Sequence, residues 1–217
     1  MIKGFIFDMD GVIIDNHTFH YEAWFKLCEE MGHPITEDFY RDHFNGKKSE
    51  DILRMLDPSL SEKQMQGLMD KKEAMYRDNY GSAQTPAPGL IHFLDDLKSQ
   101  NMKIALGTSA PVPNVLFTID GLNLRHYFDI IIDGSMVKKG KPDPEVYSKC
   151  IQGLNLLPHE CVVFEDAPAG LVSAKAAGAY RVGVVTSHAQ EDLKDAEVFI
   201  NDFEGLISNS VQNWFRD

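Results

Sequence analysis

The chain has 217 residues, enough for one large core or for a core with a small inserted domain. Its formal net charge of −12 speaks against a nucleic-acid or membrane partner, so an anionic substrate has to be attracted locally, by a metal ion and a few lysines. No apolar run is long enough to span a bilayer and no signal-peptide pattern is visible. Cys28, Cys150 and Cys161 lack paired or metal-like spacing and read as reduced thiols of a cytoplasmic protein.

The first element is a strand. Ile2, Phe5, Ile6 and Phe7 form an apolar run suited to a sheet covered on both faces, and it stops at Asp8-Met9-Asp10-Gly11. Two carboxylates at a strand tip point to a metal ion or a chemical task, because burying an unpaired carboxylate is costly. Residues 16–85 change texture: they are rich in charge, poor in strand-like runs and helical in period. His20, Ala23, Trp24, Leu27 and Met31 recur at three- and four-residue spacing, which predicts a helix ended by Gly32 and Pro34. A second helix is expected over residues 51–56 and a third from Ser61 toward Tyr80. Thr85-Pro86-Ala87-Pro88-Gly89 is a turn-rich re-entry.

From Gly89 onward strands and helices alternate. Helices are expected over residues 90–100, 114–120, 145–154 and 170–177. Strands are expected over 102–107, 130–133, 161–164, 181–185 and 198–200, with a last helix packed by the tail 211–217. The expected fold is α/β: a doubly wound parallel sheet, formed by residues 1–15 and 86–217, with an inserted all-helical cap domain at 16–85. Polar clusters fall at further strand ends, where sites of open parallel sheets form: Thr108-Ser109 after the second strand, Lys141-Pro142 after the third and Glu165-Asp166 after the fourth. Singly, Thr108 also reads as a helix cap, Lys141 as a surface lysine and Glu165-Asp166 as acids at a helix N-terminus. Four such clusters in order argue against coincidence.

These motifs, Asp8-Met9-Asp10-Gly11-Val12, Thr108, Lys141-Pro142 and Glu165-Asp166, resemble the haloacid dehalogenase superfamily, and within it the β-phosphoglucomutase and sugar-phosphatase-like group. The resemblance runs over essentially the whole chain. It implies a Rossmann-like core with a cap that closes over the active site, hinged near Asp15-Asn16 and Thr85-Pro86. It implies that Asp8 is a nucleophile forming an aspartyl-phosphate and that Asp10 is its acid–base partner. Thr108 and Lys141 then bind the transferring phosphoryl group. Mg²⁺ is implied at Asp8, Asp10 through its backbone carbonyl, and Asp166, with Glu165 beside them.

The resemblance also separates a phosphatase from a mutase. His20, Trp24 and Lys72 match cap positions of β-phosphoglucomutase, although Trp24 reads equally as packing. The mutase needs a second phosphate site, built from a cap arginine and a Ser-Lys pair after the second motif. Here the cap loop reads Asn45-Gly46-Lys47-Lys48-Ser49-Glu50, and Ser109-Ala110-Pro111 brings no lysine. Lys47 or Lys48 lacks the bidentate fork of arginine. The expectation is therefore hydrolysis of a small phosphorylated metabolite of sugar or polyol type. β-Phosphoglucomutase is the alternative, and a phosphometabolite-binding protein without turnover is a third reading that the intact acids disfavour. A monomer or weak homo-oligomer is expected.

Overall fold

Gly4–Phe7 forms β1, and every residue of it is buried. The other strands are β2 (Lys103–Gly107), β3 (Ile130–Ile132), β4 (Cys161–Glu165), β5 (Tyr180–Val184) and β6 (Val198–Ile200). In this computed structural model, which describes residues 1–44 and 47–216 apart from the Ser82 side chain, they build one parallel sheet in the order β3-β2-β1-β4-β5-β6. Phe5 pairs with Ile104 on one side and with Val162 on the other, so β1 lies at the centre. The chain moves outward from β1 to β3, then returns to the opposite side at β4. That reversal opens a crevice at the carboxyl ends of β1 and β4, where ligands of doubly wound sheets bind.

The α/β reading is correct, and alternation along β1 explains how the sheet is covered. Phe5 and Phe7 face one side. Phe7 stacks on Phe164 at 4.9 Å, and Phe93 of helix α5 (Leu90–Ser99) meets both Phe5 and Phe7 edge-on. Ile6 and Val163 face the other side, against Val146, Tyr147, Cys150 and Ile151 of α7 (Glu145–Leu154) and Ala174 of α8 (Pro168–Ala176). Full burial of each large apolar side chain stabilises by about 1.5–3 kcal/mol. The short α6 (Val112–Val115) continues into a π-helical turn at Leu116–Asp120. It starts two residues before the expected helix because Pro111 and Pro113 suit a helix start, with Pro113 in the first turn. Helix α9 (Ser208–Trp214) ties the chain ends together: the Ile2 N–H donates to Gln212 Oε1 at 2.9 Å. Phe215 stacks on Tyr180, while Asp217 lies outside the described residues.

The sheet belongs to one compact unit, Met1–Asp15 with Thr85–Asp217, and Asn16–Gln84 forms a second. Thr85, read as the last cap residue, falls with the sheet unit, where the neighbouring Pro86 bridges Ile14. The second unit contains α1 (His17–Glu30), α2 (Glu37–His43), α3 (Ser49–Leu56) and α4 (Glu62–Tyr80). Trp24, Leu27, Tyr40, Phe44, Ile52, Leu53 and Met65 pack its core. Helix α2 was absent from the sequence reading, although its signals are present. Thr36 accepts the Phe39 N–H at 3.2 Å, acids fill the first turn, and Arg41 and His43 close the last. Asn45 and Gly46 of the cap loop lie outside the described residues.

Candidate active site

Asp8 follows β1, and its N–H extends the ladder to the Phe164 carbonyl at 3.0 Å. The chain then folds back on itself: the Met9 carbonyl accepts the Ile13 N–H at 2.9 Å and the Gly11 N–H meets the Ile14 carbonyl at 2.8 Å. Gly11 sits at φ +75, and a Cβ there would stand 2.1 Å from Asp166 Oδ2. Both the left-handed backbone and the proximity of Asp166 require glycine at this turn. Asp10 is half-buried, and its charge reaches Asp8.

Lys141 is drawn into the crevice between β1 and β4. Its Nζ lies 2.9 Å from Asp8 Oδ1 and 2.7 Å from Glu165 Oε1, and 4.9 Å above the Tyr147 ring. Glu165 is fully buried and fully employed. Oε1 takes Lys141 and the Tyr147 hydroxyl at 3.1 Å, while Oε2 takes the N–H groups of Asp166 and Ala167 at 2.7 and 3.0 Å. Two oxygens with two lone pairs each are thereby saturated. The same carboxylate belongs to the acid cluster by distance, and its acceptors hold Lys141 and shape the turn into α8.

Asp8, Glu165 and Asp166 bring carboxylate oxygens within 4.8 Å of one another. Three buried acids thus face one ammonium. Burial pushes the Asp8 carboxyl up to about 7, with Glu165 and Asp10 adding to the rise and Lys141 opposing it. Burial and the charges of Glu165 and Asp8 raise Asp166 well above the usual carboxylate range. Burial also opposes charge on Lys141, but Asp8 and Glu165 overrule it and raise its pKa. Glu165 stays below the ordinary value because Lys141 and the turn N–H groups outweigh its burial. The uncompensated negative charge, the all-oxygen donors and the tight spacing fit a hard divalent cation.

Thr108 is buried after β2. Its N–H meets the Ile132 carbonyl at 3.0 Å, and its Oγ1 accepts the Ala110 N–H at 3.0 Å. The hydroxyl therefore caps the turn and keeps its own proton for another acceptor. Ser109 beside it is half-buried.

The remaining expected residues lie in the helical unit. Lys72 Nζ stands 2.7 Å from His20 Nδ1 and 2.9 Å from Glu73 Oε1, and 5.4 Å from the Trp24 ring. The His20 ring stacks on Tyr76 at 3.9 Å. His20, Trp24 and Lys72 are thus one cluster. Lys47 is exposed, and Lys48 is half-buried at the start of α3.

Sequence reasoning missed several polar residues. Tyr147 lies on a helix whose period marked it only as core. Beyond β5, the Thr186 hydroxyl donates to the Gly11 carbonyl at 2.6 Å, the Ser187 hydroxyl bonds Asp166 Oδ2, and His188 Nδ1 lies 3.1 Å from the Asp166 carbonyl. Their signal was legible, since Thr-Ser-His ends an apolar strand as the four recognised motifs do. Of the cysteines, burial pushes Cys28 up to about 11 and Cys161 up to about 12, which keeps them inert thiols. Among the described residues no helix is long and apolar enough to cross a membrane.

Comparison with known proteins agrees with this geometry. The profile of the haloacid dehalogenase-like hydrolases matches residues 5–184. A phosphorylated carbohydrates phosphatase of Thermotoga maritima is 34% identical over 187 residues, 86% of this chain and 87% of the relative. A validoxylamine A 7'-phosphate phosphatase of Streptomyces hygroscopicus subsp. limoneus is 32% identical over 93% of this chain and 94% of its own. The crystal structure of β-phosphoglucomutase from Clostridium difficile superposes with a TM-score of 0.88 at 31% identity, covering 99% of this chain and 97% of that one. The chain belongs to the haloacid dehalogenase-like hydrolases, as an enzyme of their phosphatase and phosphoglucomutase branch.

Proposed function

We propose that this protein is a Mg²⁺-dependent phosphatase that hydrolyses a small phosphorylated sugar or polyol through an aspartyl-phosphate on Asp8. The observation that carries the reading is the convergence of Asp8, Asp166 and the Glu165–Lys141 pair at the sheet reversal, three acids against one lysine. The relatives named for phosphorylated carbohydrates and validoxylamine A 7'-phosphate support the substrate class.

Asp8 attacks phosphorus in line with the ester oxygen, and the bond to that oxygen breaks. Asp10 gives the departing oxygen a proton and then takes one from the water that attacks the phosphoenzyme, which releases phosphate and restores Asp8. Lys141 and the Thr108 hydroxyl are assigned to the oxygens of the transferring group. Asp8, Asp166 and the Asp10 carbonyl would hold Mg²⁺, which when bound neutralises phosphoryl charge. Substrate selection is assigned to Ser109 and, in the helical unit, to His20, Trp24, Lys47, Lys48 and Lys72.

β-Phosphoglucomutase activity is the second reading, favoured by the 0.88 superposition on that enzyme and by the His20–Lys72 cluster. Against it stand a cap loop, Asn45 to Glu50, that carries no arginine, and the missing lysine after Ser109. The test is a panel of phosphorylated sugars and polyols with Mg²⁺, including β-glucose 1-phosphate primed with glucose 1,6-bisphosphate. Phosphate release without isomerisation is expected, and glucose 6-phosphate forming faster than phosphate would replace the phosphatase reading with the mutase. Asp8→Asn is expected to lower turnover at least a thousandfold while the circular dichroism spectrum stays unchanged; activity within tenfold of wild type excludes the covalent route.

A further inference from the structure

Beyond β5 the chain crosses the tips of β4 and β1, and three consecutive side chains bond there. The Thr186 hydroxyl donates to the Gly11 carbonyl at 2.6 Å, across 175 positions of sequence. Ser187 Oγ bonds Asp166 Oδ2 and lies 3.3 Å from the Asp166 carbonyl. His188 Nδ1 stands 2.9 Å from Ser187 Oγ and 3.1 Å from the same carbonyl.

The directions of these bonds follow from who can donate. A carbonyl only accepts, so His188 Nδ1 carries the hydrogen in its contact with Asp166. A protonated Nδ1 cannot accept from Ser187. The single proton of the serine hydroxyl goes to the carboxylate Oδ2, which is nearer than the Asp166 carbonyl at 3.3 Å. Histidine therefore donates to serine and to the carbonyl, and serine donates to the carboxylate. Donors arranged in such a series polarise one another. The same Oδ2 lies close to Gly11, where a Cβ would stand 2.1 Å from it. Asp166 is thus held between the turn after β1 and the segment after β5, and Thr186 bonds that segment to that turn.

We propose that Ser187 is a positioning residue for the divalent-cation site, orienting the Asp166 carboxylate through its hydroxyl while Thr186 anchors the segment to the Asp8–Gly11 turn. The inference rests on the reading of Asp8 and Asp166 as cation ligands. Partners behind a metal ligand change cation affinity by about 10–100-fold when removed.

The experiment is titration of the full chain with Mg²⁺ by calorimetry, repeated with Mn²⁺ and followed by electron paramagnetic resonance, for wild type, Ser187→Ala and Ser187→Thr. Ser187→Ala is expected to weaken cation binding about tenfold or more, and Ser187→Thr, which keeps the hydroxyl, to restore it to within about threefold. The Mg²⁺ concentration for half-maximal turnover should rise by the same factor in Ser187→Ala. Equal affinity in wild type and Ser187→Ala overturns the inference and leaves the cation site standing. Equal weakening in both variants overturns the hydroxyl's role, since shape rather than the hydrogen bond would then matter. A wild-type protein that binds neither cation overturns the cation reading together with the inference.

Discussion

At the scale of single residues, Lys141 decides how the acids coexist. Its Nζ is shared between Asp8 and Glu165 at 2.9 and 2.7 Å, and it is as buried as they are. Removing one partner of a buried ionic cluster leaves charge that water cannot reach, which costs about 3–5 kcal/mol. Lys141→Met is expected to lower stability by about that amount, measured from urea midpoints of the cation-free protein. A change below about 1 kcal/mol would place Lys141 among weak surface pairs. The motif acids and Lys141 were readable from sequence because each ends an apolar run. Their division of labour was not. Glu165 and Asp166 are adjacent and chemically alike, yet one is saturated by Lys141, Tyr147 and two N–H groups, while the other meets Ser187.

At the scale of elements, the loop between β3 and α7 delivers Lys141 and is organised largely by Glu145. Glu145 Oε2 accepts the N–H groups of Lys138 and Lys139, both at 2.9 Å, and Oε1 pairs with Lys149 one turn along α7. Asp143 accepts the Glu145 N–H at 3.1 Å, and Ser173 of α8 donates to the Asp143 carbonyl at 2.7 Å. Lys149 and the loop N–H groups hold the Glu145 carboxyl at about 2, below its ordinary 4.5. A depressed carboxyl contributes stability above the unfolded pKa and loses it as pH falls through the folded one. Glu145→Gln should therefore melt lower than wild type at pH 6, and the gap should narrow as pH drops below 4.5 toward 2. Melting curves across that range check it; a gap independent of pH contradicts the charge-based account. Helix α2 makes the converse point: its cap and dipole residues were present, but seven residues give too short a run for periodicity to stand out.

At the scale of the molecule, the sheet order explains why residues from five segments meet. Asp8, Thr108, Lys141, Asp166 and Ser187 each follow a successive strand, and parallel strands place all their carboxyl ends on one edge. Three acids held there with one lysine make the cation-free fold costly, so cation binding should be visible as stability. Mg²⁺ at about 100 times its dissociation constant is expected to raise the unfolding free energy by about 2.7 kcal/mol, and chelation with EDTA to remove the gain. Urea midpoints with and without Mg²⁺ measure it, and coincident curves would contradict the cation site. The sequence by itself determined the α/β class, the inserted helices and which polar residues end the buried strands, because apolar periodicity and the polar ends of such strands are local patterns. Only the tertiary structure decided that Glu165 serves Lys141, that Tyr147 supports it, and that Ser187 reaches Asp166. Hydrogen-bond saturation depends on which distant segments are brought within 3 Å, as the Thr186–Gly11 bond across 175 positions illustrates, and no spacing along the chain encodes that.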